Sequence, residues 1–204
     1  MKREEKNFQT KRRIMDSALN EFSKQGYGAS SINAVCSAQG ISKGIIYHYF
    51  STKDDLYLAC VEECFLLLTE HLAKKVQAAE GDAKAQMEEY FTARLSFFAQ
   101  HSVYQRIFCE SITAPPAHLK SEVQKRKKPF DTLNISILEK LLSSIALRPQ
   151  ITITEVIDTF RQFQDFINAK QQISELSASE FEEHEKNCRK ALDILLYGVA
   201  ERQE

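Results

Sequence analysis

The sequence contains only six glycines and four prolines in 204 residues, and no apolar run approaches the length that a bilayer-spanning helix needs. Residues 1–13 are charged throughout and lack the apolar segment of a secretory signal. The scarcity of glycine and proline excludes the low-complexity composition of disordered or fibrous chains. We therefore expect a folded protein of the cytoplasm.

The sequence also lacks the signatures of common enzymes. It has no nucleophile elbow, no phosphate-cradling glycine loop, no dinucleotide fingerprint and no His-Glu-x-x-His helix. Its five histidines lie on separate predicted helices, and no carboxylate pair stands out. We predict no catalytic residues, no metal and no other cofactor.

Cysteines are few and odd in number, which argues against a disulfide framework and favours reduced, mostly buried thiols: Cys36, Cys60, Cys64, Cys109 and Cys188. Cys60 and Cys64 lie one helical turn apart, with His71 two turns further along. Metal binding or oxidant sensing stays open for this pair, but a closed zinc site needs four ligands. Buried structural thiols are the favoured interpretation.

The net charge of −1 conceals an asymmetry. Residues 1–53 carry nine Lys or Arg against four Asp or Glu, a net charge of +5, whereas residues 54–204 carry −6. A basic head on an acidic body suits a phosphate-binding module, although surface charge also fluctuates by chance. The basic run of residues 125–128 lies in the acidic part, where a solvated helix face is the simpler interpretation.

Apolar spacing predicts an all-α protein of about nine helices. The first begins near Thr10, places Ile14, Ala18, Leu19 and Phe22 on one face, and ends at Gly26. Ser31 is expected to cap a second helix with Ile32, Val35 and Cys36 inside, which Gly40 ends. Ser42 is expected to cap a third helix of residues 43–49, with Ile45, Ile46 and Tyr49 available for the core. Two short helices joined by a tight turn indicate a helix-turn-helix.

Helix breaks are expected at Gly81, at Pro115-Pro116, at Arg148-Pro149 and in the serine- and glutamate-rich residues 174–179. Further capping signals follow. Thr52 and Asp55 predict a capping box at the start of a helix that reaches about Ala79. Thr152 or Thr154 is expected to cap another helix. Ser179 and Glu182 predict a capping box at the start of the last helix. The last two helices, about 154–173 and 180–200, have spare apolar surface. We predict that they form a homodimer, the alternative being that they close the core of a monomer.

Residues 10–57 resemble the N-terminal DNA-binding domain of the TetR family of transcriptional regulators. The resemblance rests, without a gap, on Ile14, Ala18 and Phe22, Gly26-Tyr27, Ser30-Ser31, Gly40-Ile41-Ser42-Lys43-Gly44, Tyr47-His48-Tyr49-Phe50, and Lys53 before Leu56. Cys36 replaces a common alanine, and Asn33 replaces the more usual arginine or acid, which leaves base preference open. Beyond residue 57 the likeness is architectural only.

The resemblance implies roles for individual residues in binding operator DNA. Ser31 and Asn33 would contact backbone and a base, and Lys43 and Gly44 would approach the major groove. Tyr47 and His48 would contact phosphate or base, and Lys53 would bind phosphate, with Ser30 and Thr52 as weaker candidates. The sequence independently predicts that Lys43, Gly44, Tyr47 and His48 face outward on an acid-free surface.

The resemblance also implies that residues 1–52 form the DNA-binding domain and residues 53–204 an effector-binding and dimerisation domain. Aromatic residues crowd this second part, and they either line an apolar cavity or fill the core. Our predicted ligand-binding residues are Tyr90, Arg94, Phe97, Tyr104, Phe108 and Phe163, with His101, Gln105 and Gln164 as further polar candidates. These features favour an apolar or aromatic effector.

The sequence thus predicts a ligand-responsive transcriptional regulator, most simply a repressor that binds a palindromic operator as a homodimer. The alternative is a constitutive DNA-binding or architectural protein whose acidic body recruits a protein partner. A filled core without a cavity would favour that alternative.

Overall fold

A computed structural model describes residues 3–79, 83–170 and 178–199. These residues form nine α-helices and one 3₁₀ turn, Ala117–Leu119, and contain no β-strand. The helices are α1 (Arg3–Ala29), α2 (Ile32–Gln39), α3 (Lys43–Tyr49), α4 (Lys53–Ala78), α5 (Ala83–Gln100), α6 (Val103–Thr113), α7 (Lys120–Ser143), α8 (Ile153–Lys170) and α9 (Ala178–Val199). The prediction of an all-α chain is confirmed.

None of the helices in the described ranges is long and apolar enough to cross a membrane. The predicted break at Gly81 lies outside the described residues, as does the serine- and glutamate-rich stretch through residue 177. The Pro115-Pro116 and Arg148-Pro149 breaks separate α6 from the 3₁₀ turn and α7 from α8, as predicted.

The helix ends follow the predicted caps. The Ser31 and Ser42 hydroxyls accept hydrogen bonds from the backbone N–H groups of Ala34 and Ile45. Gly40 adopts a left-handed conformation, with φ of 62°, and ends α2. These bonds satisfy groups that would otherwise lack a partner at helix termini, so the local sequence determines where the short helices begin and end.

Two capping boxes are also present. The Thr52 and Asp55 side chains each accept the other's backbone N–H at 3.0 Å, which starts α4. Thr152 and Glu155 do the same at the start of α8. The predicted box at Ser179 is wrong, because α9 already begins at Ala178 and an N-cap must precede its helix.

Helix α1 begins seven residues before the predicted start at Thr10, and its regular path breaks at Gly26, where φ is 70° and ψ is 175°. Its predicted apolar face is buried and packs on α6. The Phe22 ring contacts the edge of Tyr57 with ring centres 5.1 Å apart. The early start was missed because the added turns are polar, so apolar spacing does not reveal them.

The chain divides into two compact units. The first comprises residues up to Leu66 together with His101–Lys127, and the second comprises Leu67–Gln100 and the residues from Lys128 onward. Helices α1, α2, α3 and α6 therefore belong to the first unit, and α5, α8 and α9 to the second. Each compact unit combines two separate stretches of the chain, so the units do not correspond to the predicted domains 1–52 and 53–204. That domain boundary stays a prediction about function.

Candidate nucleic-acid interface

Helix α3 presents four of the predicted DNA-binding residues together. Lys43, Gly44, Tyr47 and His48 are all exposed, whereas Ile46 is fully buried. The buried Ile46 side chain anchors the helix. Ile41 before α3 and Phe50 just after it are also buried, so both ends of the helix are held as well. The outward residues supply an ammonium group, a phenol and an imidazole to one surface, without an acid.

Ile45 was predicted to be available for the core, and that prediction is wrong, because the side chain is 43% exposed. Ile46 is the side chain of α3 that points into the core, and Ile45 precedes it by one residue. Successive helical residues are about 100° apart, so Ile45 lies towards the outer side of α3. Ile45 therefore adds an exposed apolar side chain near Lys43 and Tyr47 on α3. Cys36, predicted on the inner face of α2, is only half-buried.

Helix α2 presents two further predicted contacts at its start. Ser31 and Asn33 are exposed, and Ser31 caps the helix as described above. Of the weaker candidates, Thr52 is exposed, but Ser30 is buried and its hydroxyl donates to the Gly26 carbonyl at 2.5 Å. Ser30 therefore supports the turn between α1 and α2 and does not present its side chain at the surface.

The segment from Gly40 to Gly44 matches the Gly-x-Ser-x-Gly letters of a hydrolase nucleophile elbow. A nucleophile elbow joins a strand to a helix, whereas here the segment joins two helices and its serine caps α3. The surroundings thus assign the segment to the turn of a helix-turn-helix.

Lys53 lies at the start of α4 and is held by a tyrosine that sequence reasoning did not assign. The Lys53 Nζ lies 4.2 Å from the centre of the Tyr27 ring, a cation–π geometry. The Tyr27 hydroxyl donates to Asp54, and His118 Nε2 lies 3.2 Å from both the Tyr27 hydroxyl and Asp54. Burial and the Asp54 carboxylate raise the pKa of Tyr27 to about 12. Tyr27 stays protonated at neutral pH and positions Lys53.

Glu110 of α6 ties this cluster to the break in α1. Both Glu110 carboxylate oxygens accept the Tyr27 backbone N–H at 3.1 Å, and Arg106 donates to the Lys24 carbonyl at 2.7 Å. Burial raises the pKa of Glu110. The break in α1 is thus held by side chains more than 80 residues away in sequence, a pairing that helical periodicity does not reveal.

The second unit contains a small cavity of about 20 Å³, room for little more than one water molecule. Its lining carries no formal charge and consists of Met87, Tyr90, Phe91, Asn134, Ile137, Leu138, Phe160, Gln164 and Leu192. Of the predicted ligand residues, Tyr90 lines it, as does the further candidate Gln164. The other predicted residues lie elsewhere.

Those other residues have structural surroundings of their own. Phe97 is buried against His71 and Phe98, Phe108 packs on Phe65, and Phe163 is 40% exposed. Tyr104 belongs to the first unit and donates to Glu63 at 2.5 Å. Long-range packing decided which aromatic residues border the cavity, and helical spacing carries no such information.

Arg94 lies next to the cavity residue Tyr90 in a buried ion pair. Its guanidinium binds Glu185 of α9, and only 5% and 1% of the two side chains are exposed. Arg94 also donates to the Tyr90 hydroxyl at 3.1 Å, and Tyr90 donates to Asn134 at 2.6 Å. A hydrogen-bonded chain therefore joins α5, α7 and α9. Burial, together with the charge of Arg94, lowers the pKa of the adjacent His184 to about 4.

Cys60 and Cys64 are both buried, and burial raises the pKa of each thiol. Thiolate is the form that binds metals and reacts with oxidants, so these surroundings disfavour both activities. In the described part of the chain, no three potential metal-ligating side chains come together.

The two short capped helices and the outward face of α3 define a helix-turn-helix protein. Residues 14–60 match the family of bacterial regulatory proteins called the tetR family. Residues 14–60 therefore carry the DNA-binding region of this family of transcriptional regulators, and the family match is confined to that region.

Similar proteins support that assignment. Residues of this chain are 24% identical over 123 positions to the biofilm operon negative transcriptional regulator IcaR of Staphylococcus epidermidis, covering 60% of this chain and 63% of IcaR. They are 39% identical over 49 positions to the transcriptional regulator AcrR of Shigella flexneri, covering 24% of this chain and 23% of AcrR. The chain thus spans less than two thirds of the length of IcaR.

The fold extends the likeness to nearly the whole chain. The crystal structure of the transcriptional regulator FadR from Bacillus subtilis in complex with stearoyl-CoA matches with a TM-score of 0.68. The match covers 92% of this chain and 98% of FadR at 15% sequence identity. At that identity the comparison establishes the shared fold only.

Proposed function

We propose that this transcriptional regulator is a repressor that binds a two-fold symmetric operator as a homodimer and leaves it when a small effector binds. The observation that carries the DNA-binding part is the exposed, acid-free surface of Lys43, Tyr47 and His48 on a helix fixed by the buried Ile46. In a helix-turn-helix this helix enters the major groove. The similarity to IcaR, a negative regulator, supports the repressor assignment.

Dimerisation is proposed through α8 and α9. Phe163 is 40% exposed and Ile194 is 62% exposed, so each of these helices carries a large apolar side chain at its surface. Two-fold pairing would cover such residues and would place two copies of α3 one DNA turn apart. Residues 171–173 and 200 of the predicted interface lie outside the described residues.

The proposed effector site is the cavity of the second unit. Because its lining carries no formal charge, and Arg94 and Glu185 neutralise each other nearby, we propose an uncharged, largely apolar effector. The Tyr90, Asn134 and Gln164 side chains offer it hydrogen bonds. A volume of about 20 Å³ is far too small for such a molecule, so binding requires the helices around the cavity to separate.

The same small volume favours the second candidate, a constitutive DNA-binding protein that recruits a protein partner. A core that stays closed would bind no effector, and its DNA affinity would not respond to small molecules. The two functions share the DNA-binding surface and differ only in the response of the second unit.

The DNA-binding proposal is tested by selecting genomic fragments with the purified protein and measuring the affinity of the enriched site. We expect a palindromic site, and we expect Lys43→Ala and Tyr47→Ala each to weaken binding about 10- to 100-fold, corresponding to roughly 1–3 kcal/mol for each substituted side chain. Lys74→Ala, an exposed lysine in the second unit, is the control and should bind as wild type. If no fragment is enriched, or if both α3 variants bind like the control, DNA recognition by α3 is refuted.

The effector proposal is tested by screening uncharged apolar compounds for release of that operator. We expect Ile137→Trp, which fills the cavity, to raise the concentration needed for release at least tenfold. Its operator affinity without compound should match wild type. Release that is unaffected by Ile137→Trp would place the effector elsewhere, and equal operator affinity with and without every bound compound would favour the constitutive alternative.

A further inference from the structure

The hydrogen-bonded chain beside the cavity of the second unit has a fixed direction. The Arg94 guanidinium has donors only, so the Tyr90 oxygen accepts its hydrogen bond at 3.1 Å. Burial raises the pKa of Tyr90, which therefore keeps its hydroxyl hydrogen, and that hydrogen is donated to Asn134 Oδ1 at 2.6 Å. The chain thus runs from Arg94 through Tyr90 and ends at the oxygen of the Asn134 amide.

This direction decides which end of the Asn134 amide is available to a ligand. Its oxygen already accepts a hydrogen bond from Tyr90, whereas the described residues offer no acceptor to its N–H2 group. An N–H group without an acceptor costs more than an oxygen that accepts one bond where it could accept two. Asn134 lines the cavity, and neither Arg94 nor Glu185 does. The end of the chain therefore presents a hydrogen-bond donor to the cavity.

Arg94 strengthens this donor. Its charge polarises the Tyr90 hydroxyl, and each hydrogen bond of such a chain strengthens the next one in surroundings of low dielectric constant. The Glu185 carboxylate balances the charge of Arg94, so the chain brings polarity to the cavity without net charge. Gln164 is the other amide of the lining, and it adds no preference because it can both donate and accept.

The chain can stay intact while the cavity widens. Four helices line the cavity, α5, α7, α8 and α9, and in the described part of the protein α8 alone contributes no residue to the chain. Helix α8 can therefore move outward with Phe160 and Gln164 while Tyr90 and Asn134 remain bonded. The Asn134 donor would then face the enlarged cavity.

We propose that the effector is an uncharged, apolar molecule whose polar group is a hydrogen-bond acceptor, such as a ketone or ester carbonyl, and that the Asn134 amide donates to this group. This inference rests on the proposed effector function and names the chemical class that the same cavity would take. A hydrocarbon would leave the Asn134 donor unpaired, and a molecule whose only polar group is an N–H would set two donors against each other. The acceptor thus distinguishes the effector from other apolar molecules of its size.

The test uses two sets of compounds matched in size: indanone, indole and indane, and the larger fluorenone, carbazole and fluorene. In each set the first member has only an acceptor, the second only an N–H donor, and the third neither. Calorimetry measures binding to the full chain, and operator release is measured in parallel. We expect wild type to bind each ketone roughly 3- to 10-fold more tightly than the other two members, the affinity equivalent of one net hydrogen bond.

Two variants test whether Asn134 is the donor. Asn134→Asp keeps an acceptor for Tyr90 but replaces the N–H2 group by a carboxylate oxygen, so the preference should reverse in favour of indole and carbazole. Asn134→Leu should bind ketone and hydrocarbon equally. The matched control Asn187→Asp makes the same exchange at an exposed position of α9 and should keep the ketone preference. Thermal unfolding checks that each variant folds.

Two results would overturn this inference while leaving the effector proposal intact. One is a ketone preference that persists in both Asn134 variants, and the other is wild type that binds the N–H compounds or the hydrocarbons as tightly as the ketones. Any further uncharged compound that releases the operator is judged in the same way, and release by one without an acceptor also counts against the inference. If no apolar compound binds or releases the operator, the proposed effector function itself fails.

Discussion

Replacing Glu185 by alanine is expected to lower the free energy of unfolding by about 3–5 kcal/mol, the usual cost of removing one member of a buried ion pair. Glu185 is 1% exposed and Arg94 is 5% exposed, so water cannot replace the missing carboxylate without opening the core. The measurement is denaturant unfolding of the purified chain at neutral pH.

Two further variants identify the cause of that destabilisation. The double variant Arg94→Met/Glu185→Leu should recover most of the stability, because an apolar pair of similar volume has no desolvation cost. The exposed pair of Glu182 and Lys186 lies on the same helix, so Glu182→Ala should leave the unfolding curve essentially unchanged. If Glu185→Ala unfolds like Glu182→Ala, the buried ion pair contributes nothing to the fold.

Replacing Gly26 by alanine is expected to cost about 1–3 kcal/mol of stability, since φ of 70° with ψ of 175° is a backbone region almost restricted to glycine. The new Cβ would also lie 3.2 Å from Arg106 and 3.3 Å from Glu110, both of which hold the break in α1. Thermal unfolding measures the effect, with the melting temperature falling by several degrees.

Gly28→Ala is the matched control for this variant. Gly28 lies two residues further along and has an ordinary φ, and a Cβ there meets no atom within 4 Å. Alanine at such a helical position should stabilise the chain by up to about 1 kcal/mol. The two substitutions are therefore expected to act in opposite directions. Equal effects would show that the conformation of Gly26 is not required by the fold.

The sequence by itself determined the features that depend on neighbours in the chain. Ser31, Ser42 and the Thr52–Asp55 pair cap helices because each hydroxyl reaches an N–H three residues away. The all-α class, the helix-turn-helix and the outward side of α3 follow from such signals and from apolar spacing.

Tertiary structure alone decided which distant residues meet. Glu110 lies 83 residues from the Tyr27 N–H that it accepts, and Glu185 lies 91 residues from Arg94. It also decided that Tyr90 lines the cavity while Tyr104 lies in the other unit, and that Ile45 stays exposed. Helical periodicity shows which residues share a face of one helix. It does not show which helix covers that face, because that choice depends on packing throughout the fold.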